Sequence, residues 1–119
     1  MARVLVADDD PTVLRMVAEF LTACGHEVIR ATHGGEAREV FDRGGVEVLV
    51  SDLEMPVMNG IELLAHVRSS THPIPVIMAS GTWAHGQRGQ ARDLGAARTY
   101  SKPVDLAQVV RDIEELLRA

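Results

Sequence analysis

The stretch VEVLVSDLEMPVMNG, residues 46–60, decides the fold of this chain. Its first part, residues 46–50, is a short, valine-rich and mostly apolar run, which is typical of a buried strand. The run delivers Asp52 to the carboxyl edge of a predicted sheet, and Met55-Pro56 and Asn59-Gly60 mark the loop before the next helix. Ligands of open parallel α/β sheets bind at that edge, so Asp52 is a candidate functional carboxylate.

On both sides of this stretch, short apolar runs alternate with segments of helical periodicity. Four more strands are predicted at residues 4–7, 28–31, 75–79 and 98–101. Each predicted strand is followed by a predicted helix, and such alternation favours parallel strands joined by helical crossovers. We therefore expect one α/β domain over residues 1–119, a doubly wound five-stranded parallel sheet with helices on both faces.

The segment 81–95 carries the weakest helical signal in the chain. Gly86 and Gly89 lie within it, and each costs about 1 kcal/mol in a helix interior relative to alanine. We expect a short or mobile helix there. Trp83, in the same segment, would serve either as an anchor for a partner or as an aromatic side chain packed on its own domain.

Charge and composition limit the classes of function. Lys and Arg total 12 against 17 Asp and Glu, and the net charge of -5 argues against direct binding to nucleic acid or to an anionic membrane surface. Cys24 is the single cysteine, which excludes an intramolecular disulfide framework. With no secretory leader and no apolar run of membrane-spanning length in the sequence, we expect a cytoplasmic protein.

Charged and hydroxyl side chains stand at the ends of four predicted strands. Five residues form this set: Asp8, Asp9, Asp52, Ser80 and Lys102. Crowded carboxylates remain ionised only if a cation joins them, and oxygen ligands of this kind suit Mg²⁺. An aspartate beside a metal can attack phosphorus, and Lys102 and Ser80 could then neutralise and orient the phosphoryl group.

In four segments the chain resembles the receiver domains of response regulators. These segments are VLVADDD at 4–10, DLEMPVMNG at 52–60, PVIMAS at 75–80 and SKP at 101–103. All four occur in the family's order and at compatible spacing, and the resemblance extends over residues 3–117. It implies a flavodoxin-like fold and a phosphorylation-controlled switch of a two-component phosphorelay, of the stand-alone chemotaxis type, rather than an enzyme.

The resemblance also implies a phosphoacceptor and a metal site. Asp52 would receive the phosphoryl group from a histidine kinase or a histidine phosphotransfer protein, with Mg²⁺ as the cofactor. Asp9 would bind the metal directly and Asp8 chiefly through water. Asp52 itself would complete the site, together with the backbone carbonyl of Glu54.

The groups that respond to phosphorylation follow from the same resemblance. Ser80 would hydrogen-bond to the phosphoryl group and Lys102 would pair with it, with a cis peptide bond to the following proline. Most receivers carry an aromatic switch residue three positions before the lysine, whereas this chain has Thr99 there and Tyr100 one position later. Tyr100 is predicted to lie on the opposite face of the strand. A downstream effector protein would read the face of helix four and strand five after the helix-four segment becomes ordered.

Three other functions compete with this interpretation. A pseudo-receiver would keep the fold and signal without phosphorylation, although the complete acidic site argues against it. A hydrolase resembling haloacid dehalogenases would carry a second aspartate two residues after the nucleophile, where this chain has Glu54. Flavodoxin-like cofactor binding would need a phosphate loop rich in Ser, Thr and Gly after strand one, which this sequence lacks.

Overall fold

A computed structural model describes residues 1–118, in which five strands alternate with five helices. The strands are β1 (Arg3–Ala7), β2 (Glu27–Ala31), β3 (Val48–Asp52), β4 (Val76–Ser80) and β5 (Arg98–Ser101). The helices are α1 (Pro11–Ala23), α2 (Gly34–Arg43), α3 (Gly60–Arg68), α4 (Gln87–Asp93) and α5 (Leu106–Arg118). The observed β3 begins and ends two residues later than predicted, so Asp52 is itself the last residue of the strand. Within this part of the chain, none of the helices combines the length and apolar character needed to cross a membrane.

All five strands are parallel and lie in the order β2-β1-β3-β4-β5. The direction of winding reverses between β1 and β3, which opens a crevice at the carboxyl edge between the loops that follow these two strands. Ala7 pairs with Ser51, and Asp52 pairs with Ala79, so the ends of β1, β3 and β4 lie side by side. The predicted doubly wound architecture is confirmed.

The sheet is buried on both faces because its central strands carry apolar side chains on both faces, not only at every second residue. Leu5 and Leu49 pack in the cluster formed with α2, α3 and α4. Val4, Val48 and Ile77 pack in the cluster formed with α1 and α5. All five side chains are fully buried, so the sheet is a rigid support for the residues at its carboxyl edge.

Helix α4 is the shortest helix of the described chain, with seven residues, which confirms the predicted short helix. It begins after Gly86, which has a φ of +82° and offers no side chain to cap the helix. By contrast, Asp10 caps α1 by accepting hydrogen bonds from the amides of Thr12 and Val13. The mobility of α4 stays a prediction.

Two glycines allow the loop between β3 and α3 to lie close to neighbouring parts of the chain. A Cβ atom on Gly60 would lie 2.5 Å from the main-chain oxygen of Asp52 and 2.6 Å from the sulfur of Met78. A Cβ atom on Gly34, at the start of α2, would overlap the main-chain oxygen of Met58. The loop that carries Glu54 is therefore pressed against the sheet and against α2.

Candidate functional site

The ends of β1 and β3 bring three carboxylates together. One carboxylate oxygen from each of Asp8, Asp9 and Asp52 lies within 4.8 Å of the other two. Asp8 and Asp52 are buried, whereas Asp9 is exposed, so the cluster meets solvent at Asp9. The amide of Asp10 donates a 2.9 Å hydrogen bond to Asp8 Oδ1, which fixes the orientation of that carboxylate.

Lys102 reaches this cluster from the end of β5. Its Nζ lies 2.9 Å from Asp8 Oδ2, in a hydrogen bond, and 3.2 Å from Asp52 Oδ1. The second contact is an ion pair by distance, but it lacks the alignment of a hydrogen bond. Asp52 Oδ1 is therefore a buried acceptor without a hydrogen-bond donor among residues 1–118. The peptide bond from Lys102 to Pro103 is cis, as predicted.

Burial and neighbouring charge shift the titration of two of these groups. Burial raises the pKa of Asp52, the Asp8 carboxylate raises it further, and Lys102 opposes both, leaving a pKa of about 6. Burial alone lowers the pKa of Lys102, but the carboxylates of Asp8 and Asp52 together raise it above its ordinary value of 10.5. At pH 7 a mostly ionised Asp52 thus faces a charged ammonium group.

The donor set fits a hard divalent cation such as Mg²⁺. Three carboxylates face one ammonium group, which leaves an excess of negative charge, and every candidate ligand atom is an oxygen. Asp52 Oδ1 is paired with Lys102 Nζ at 3.2 Å but accepts no geometrically defined hydrogen bond from the described residues, so it keeps a lone pair for such an ion. The structure thus brings together Asp8, Asp9, Asp52 and Lys102.

Ser80 ends β4, next to Asp52, and is fully buried. Its hydroxyl donates a 2.7 Å hydrogen bond to Glu54 Oε1, and its oxygen accepts a 3.1 Å hydrogen bond from the amide of Thr82. Sequence reasoning placed Glu54 at the site through its backbone carbonyl and missed this side-chain contact. The sequence feature that could have indicated this contact is the position of Glu54, two residues after the end of β3, which is the neighbour of β4 in the sheet.

Thr99 lies outside the carboxylate cluster, in the contact between β5 and α4. Arg88 donates hydrogen bonds to Thr99 Oγ1 at 2.9 Å and to the Thr99 main-chain oxygen at 3.0 Å. The same guanidinium lies over the ring of Trp83, 5.6 Å from its centroid. We call Arg88, Thr99 and Trp83 the α4–β5 clasp. Sequence reasoning did not single out Arg88, because nothing in its local sequence indicates a contact with β5.

Trp83 is packed on its own domain, as the second of its two predicted roles requires. Its side chain is half-buried against the core cluster beneath α2, α3 and α4, and its indole Nε1 donates a 2.9 Å hydrogen bond to the main-chain oxygen of Tyr100. The Tyr100 side chain packs on the other face with α1 and α5, as predicted. There its hydroxyl donates to the buried carboxylate of Asp112. Tyr100 is thus tied to α5 and Thr99 to α4.

The similarity of this chain to known proteins covers nearly its whole length. Residues 4–114 match the family model described as the response regulator receiver domain. Response regulator RR06 of Streptococcus pneumoniae is 36% identical over 115 residues, which cover 97% of this chain and 52% of RR06. Protein PilH of Pseudomonas aeruginosa is 29% identical over 119 residues, which cover 98% of each chain.

The solved structures agree with the sequence relatives. A CheY-like response regulator receiver domain protein from Methanospirillum hungatei matches with a TM-score of 0.93 at 26% identity, covering 99% of this chain and 94% of the other. The chain spans about half the length of RR06. The matched region contains every strand end of the site, from Asp8 to Lys102. This chain belongs to the response regulator receiver domain family of two-component signalling.

Proposed function

We propose that this receiver domain is a phosphorylation-controlled switch and that Asp52 is its phosphoacceptor. The observation that carries the proposal is the position of Lys102 Nζ, 2.9 Å from Asp8 and 3.2 Å from Asp52. A buried carboxylate beside a fixed ammonium group is a nucleophile placed where the charge of a phosphoryl group can be neutralised. Membership of the receiver family supports the same role.

In the proposed reaction, a carboxylate oxygen of Asp52 forms a bond to the phosphorus of a phosphohistidine on a histidine kinase or phosphotransfer protein. The phosphorus–nitrogen bond breaks, and its electron pair stays on the imidazole, which takes up a proton from water. The product on this chain is an acyl phosphate. Because a phosphoryl transition state is loose and highly charged, the Lys102 ammonium stabilises it by neutralising charge. A pKa of about 6 keeps Asp52 mostly ionised at pH 7, as a nucleophile requires.

Mg²⁺ would be held by the carboxylates of Asp9 and Asp52, by Asp8 through water and by the main-chain carbonyl of Glu54. When bound, the ion supplies positive charge to the transferring phosphoryl group. Asp8 also keeps Lys102 in place through their hydrogen bond, so it serves the metal and the ammonium group together.

The phosphorylated state ends when water attacks phosphorus, inorganic phosphate leaves and the carboxylate of Asp52 is restored. The chain is thus a switch that assists its own phosphorylation and dephosphorylation, and not an enzyme with a separate substrate. Its partners are the phosphodonor protein and an effector protein that reads the altered surface.

The altered surface is the face of α4 and β5. In the phosphorylated state the Ser80 hydroxyl donates a hydrogen bond to the phosphoryl group. In this structure the amide of Thr82 bonds to Ser80 Oγ, so a movement of Ser80 shifts Thr82. Trp83 follows directly in the chain and belongs to the α4–β5 clasp. A movement at Ser80 therefore reaches Arg88 and Thr99 through the short segment that precedes α4.

Intact mass spectrometry tests the proposal. Wild type and Asp52→Asn are incubated with Mg²⁺ and acetyl phosphate, and in parallel with EDTA. We expect a labile gain of one phosphoryl group in wild type only, abolished by EDTA. A gain in Asp52→Asn would assign the phosphoacceptor elsewhere. No gain from acetyl phosphate or from a phosphohistidine protein, together with no binding of Mg²⁺, would favour a pseudo-receiver that signals without phosphorylation.

A further inference from the structure

The hydroxyl of Ser80 has a single proton, and Glu54 accepts it. The Oγ–Oε1 distance is 2.7 Å, and Ser80 Oγ also accepts the Thr82 amide at 3.1 Å. A serine hydroxyl can donate only one hydrogen bond. Ser80 therefore cannot donate to another group until it leaves Glu54.

Ser80 lies between the two strands that carry the reacting groups. Its neighbour Ala79 pairs with Asp52 of β3, and Ser80 itself pairs with Ser101 of β5. The amide of Lys102 donates a 2.8 Å hydrogen bond to the main-chain oxygen of Ser80. The Ser80 hydroxyl is thus positioned beside the proposed phosphoacceptor, but its proton points to the loop after β3.

The carboxylate of Glu54 also acts on the proposed phosphoacceptor by electrostatic repulsion. Burial and Asp8 contribute most to the raised pKa of Asp52, and the Glu54 carboxylate adds to them. Glu54 could therefore oppose a phosphoryl group in two ways, by retaining the Ser80 proton and by simple repulsion. Only the first depends on Ser80, so the two effects can be separated by substitution.

We propose that Glu54 is a positioning residue that holds Ser80 in the unphosphorylated arrangement, in direct competition with the phosphoryl group for the Ser80 proton. This inference rests on the proposed phosphorylation of Asp52. It assigns to the Glu54 side chain a role distinct from that of its backbone carbonyl at the metal. Loss of the Glu54 carboxylate then favours the phosphoryl-bound state, because Ser80 no longer gives up a charge-assisted hydrogen bond.

A double-mutant cycle with beryllofluoride, a phosphoryl mimic, tests the competition in the presence of Mg²⁺. Fluorescence of Trp83, the single tryptophan, reports binding by wild type, Glu54→Ala, Ser80→Ala and the double variant. We expect Glu54→Ala to bind about tenfold more tightly than wild type, while the same change in the Ser80→Ala background alters binding less than twofold. Glu54→Gln, which keeps an acceptor oxygen, should show a smaller gain than Glu54→Ala.

A second measurement needs neither metal nor mimic. Amide hydrogen exchange of Thr82 should be several times faster in Glu54→Ala, because Ser80 Oγ is then free to rotate away from the Thr82 amide. An equal gain in beryllofluoride affinity with and without Ser80 would overturn the proposal in favour of repulsion alone. The proposal would also be overturned if Thr82 amide exchange were unchanged in Glu54→Ala. It would be overturned as well if wild type bound beryllofluoride normally and Glu54→Ala bound it no more tightly. Failure of wild type to bind beryllofluoride would overturn the proposed function and this inference together.

Discussion

Arg88 of α4 donates hydrogen bonds to both the side-chain oxygen and the main-chain oxygen of Thr99 on β5, at 2.9 Å and 3.0 Å. These bonds fasten a seven-residue helix whose N-terminus receives no side-chain cap from the part of the chain that the structure describes. Thr99 occupies the position where most receivers are expected to carry an aromatic switch residue. In this chain that position is an anchor for α4.

Substitution of Arg88 by alanine should loosen α4. The variant loses two hydrogen bonds and the contact with Trp83, so we expect the free energy of unfolding to fall by about 1–2 kcal/mol. Urea unfolding measures this change, and amide exchange of α4 shows where it acts. Arg92→Ala removes the same charge from an exposed position of the same helix and should change both much less. Equal effects of the two substitutions would contradict the anchoring role.

The two glycines near α4 should respond to alanine in opposite directions. Gly89 is exposed inside the helix, and a Cβ atom there would meet no heavy atom of residues 1–118 within 4 Å, so Gly89→Ala should stabilise α4 by up to about 1 kcal/mol. Gly86 has a φ of +82°, so Gly86→Ala should cost about 1 kcal/mol. Amide exchange of residues 87–93 measures both changes. Stabilisation by both substitutions would show that Gly86 leaves its left-handed conformation readily.

The raised pKa of Asp52 predicts how stability depends on pH without metal. Its folded-state value of about 6 exceeds the ordinary 3.8, so protonation favours the folded state, and stability from this group is lost as pH rises from about 4 to 6. Asp52→Asn removes the buried charge and should gain about 1–2 kcal/mol at pH 7, after allowance for solvent screening. Urea unfolding of both proteins in EDTA between pH 4 and pH 7 measures the difference, which should nearly vanish at pH 4. A constant difference across this range would contradict the shift.

Adding Mg²⁺ should stabilise the wild-type chain at pH 7 by binding to the folded state alone. The gain is about 1.4 kcal/mol when free Mg²⁺ is ten times its dissociation constant. Asp9→Asn should lose most of this gain. Asp10→Asn is the matched control, since it removes the same charge one residue later and asparagine still caps α1. Thermal unfolding at several Mg²⁺ concentrations compares the variants. If both variants lost the stabilisation by Mg²⁺, the ion would be responding to the overall negative charge of this region and not to a specific site.

Val57 should be a point of backbone strain in the loop after β3. It has a φ of +70°, which is rare for a β-branched residue, and the residue is 82% exposed, so little packing offsets the strain. Val57→Asn should raise the free energy of unfolding by about 1 kcal/mol, because asparagine tolerates this conformation. Val57→Ala, which keeps a Cβ atom, should gain less. Urea unfolding measures both, and a loss of stability in Val57→Asn would show that the valine packs productively in solution.

The sequence by itself determined the fold class and the composition of the carboxylate cluster. Central strands that are apolar on both faces, together with the alternation of strands and helices along the chain, favour a parallel sheet covered on both faces. In such a sheet every strand ends at the same edge, so residues that follow different strands must meet there. Asp8, Asp9, Asp52 and Lys102 could be placed together for this reason, although they are as many as 94 residues apart. The opposite faces of Thr99 and Tyr100 followed from the alternation of a strand.

Only the tertiary structure decided which side chains contact one another across the loops. The bond from Ser80 to Glu54 and those from Arg88 to Thr99 join loop or helix residues to strands. Such contacts depend on the path of a loop and the rotation of a short helix, which periodicity does not specify. The shifted pKa of Asp52 likewise depends on burial and on the distances to Asp8 and to Lys102. Residue types and spacing can name the members of a site, but only the folded chain sets the distances that determine its charge and its hydrogen bonds.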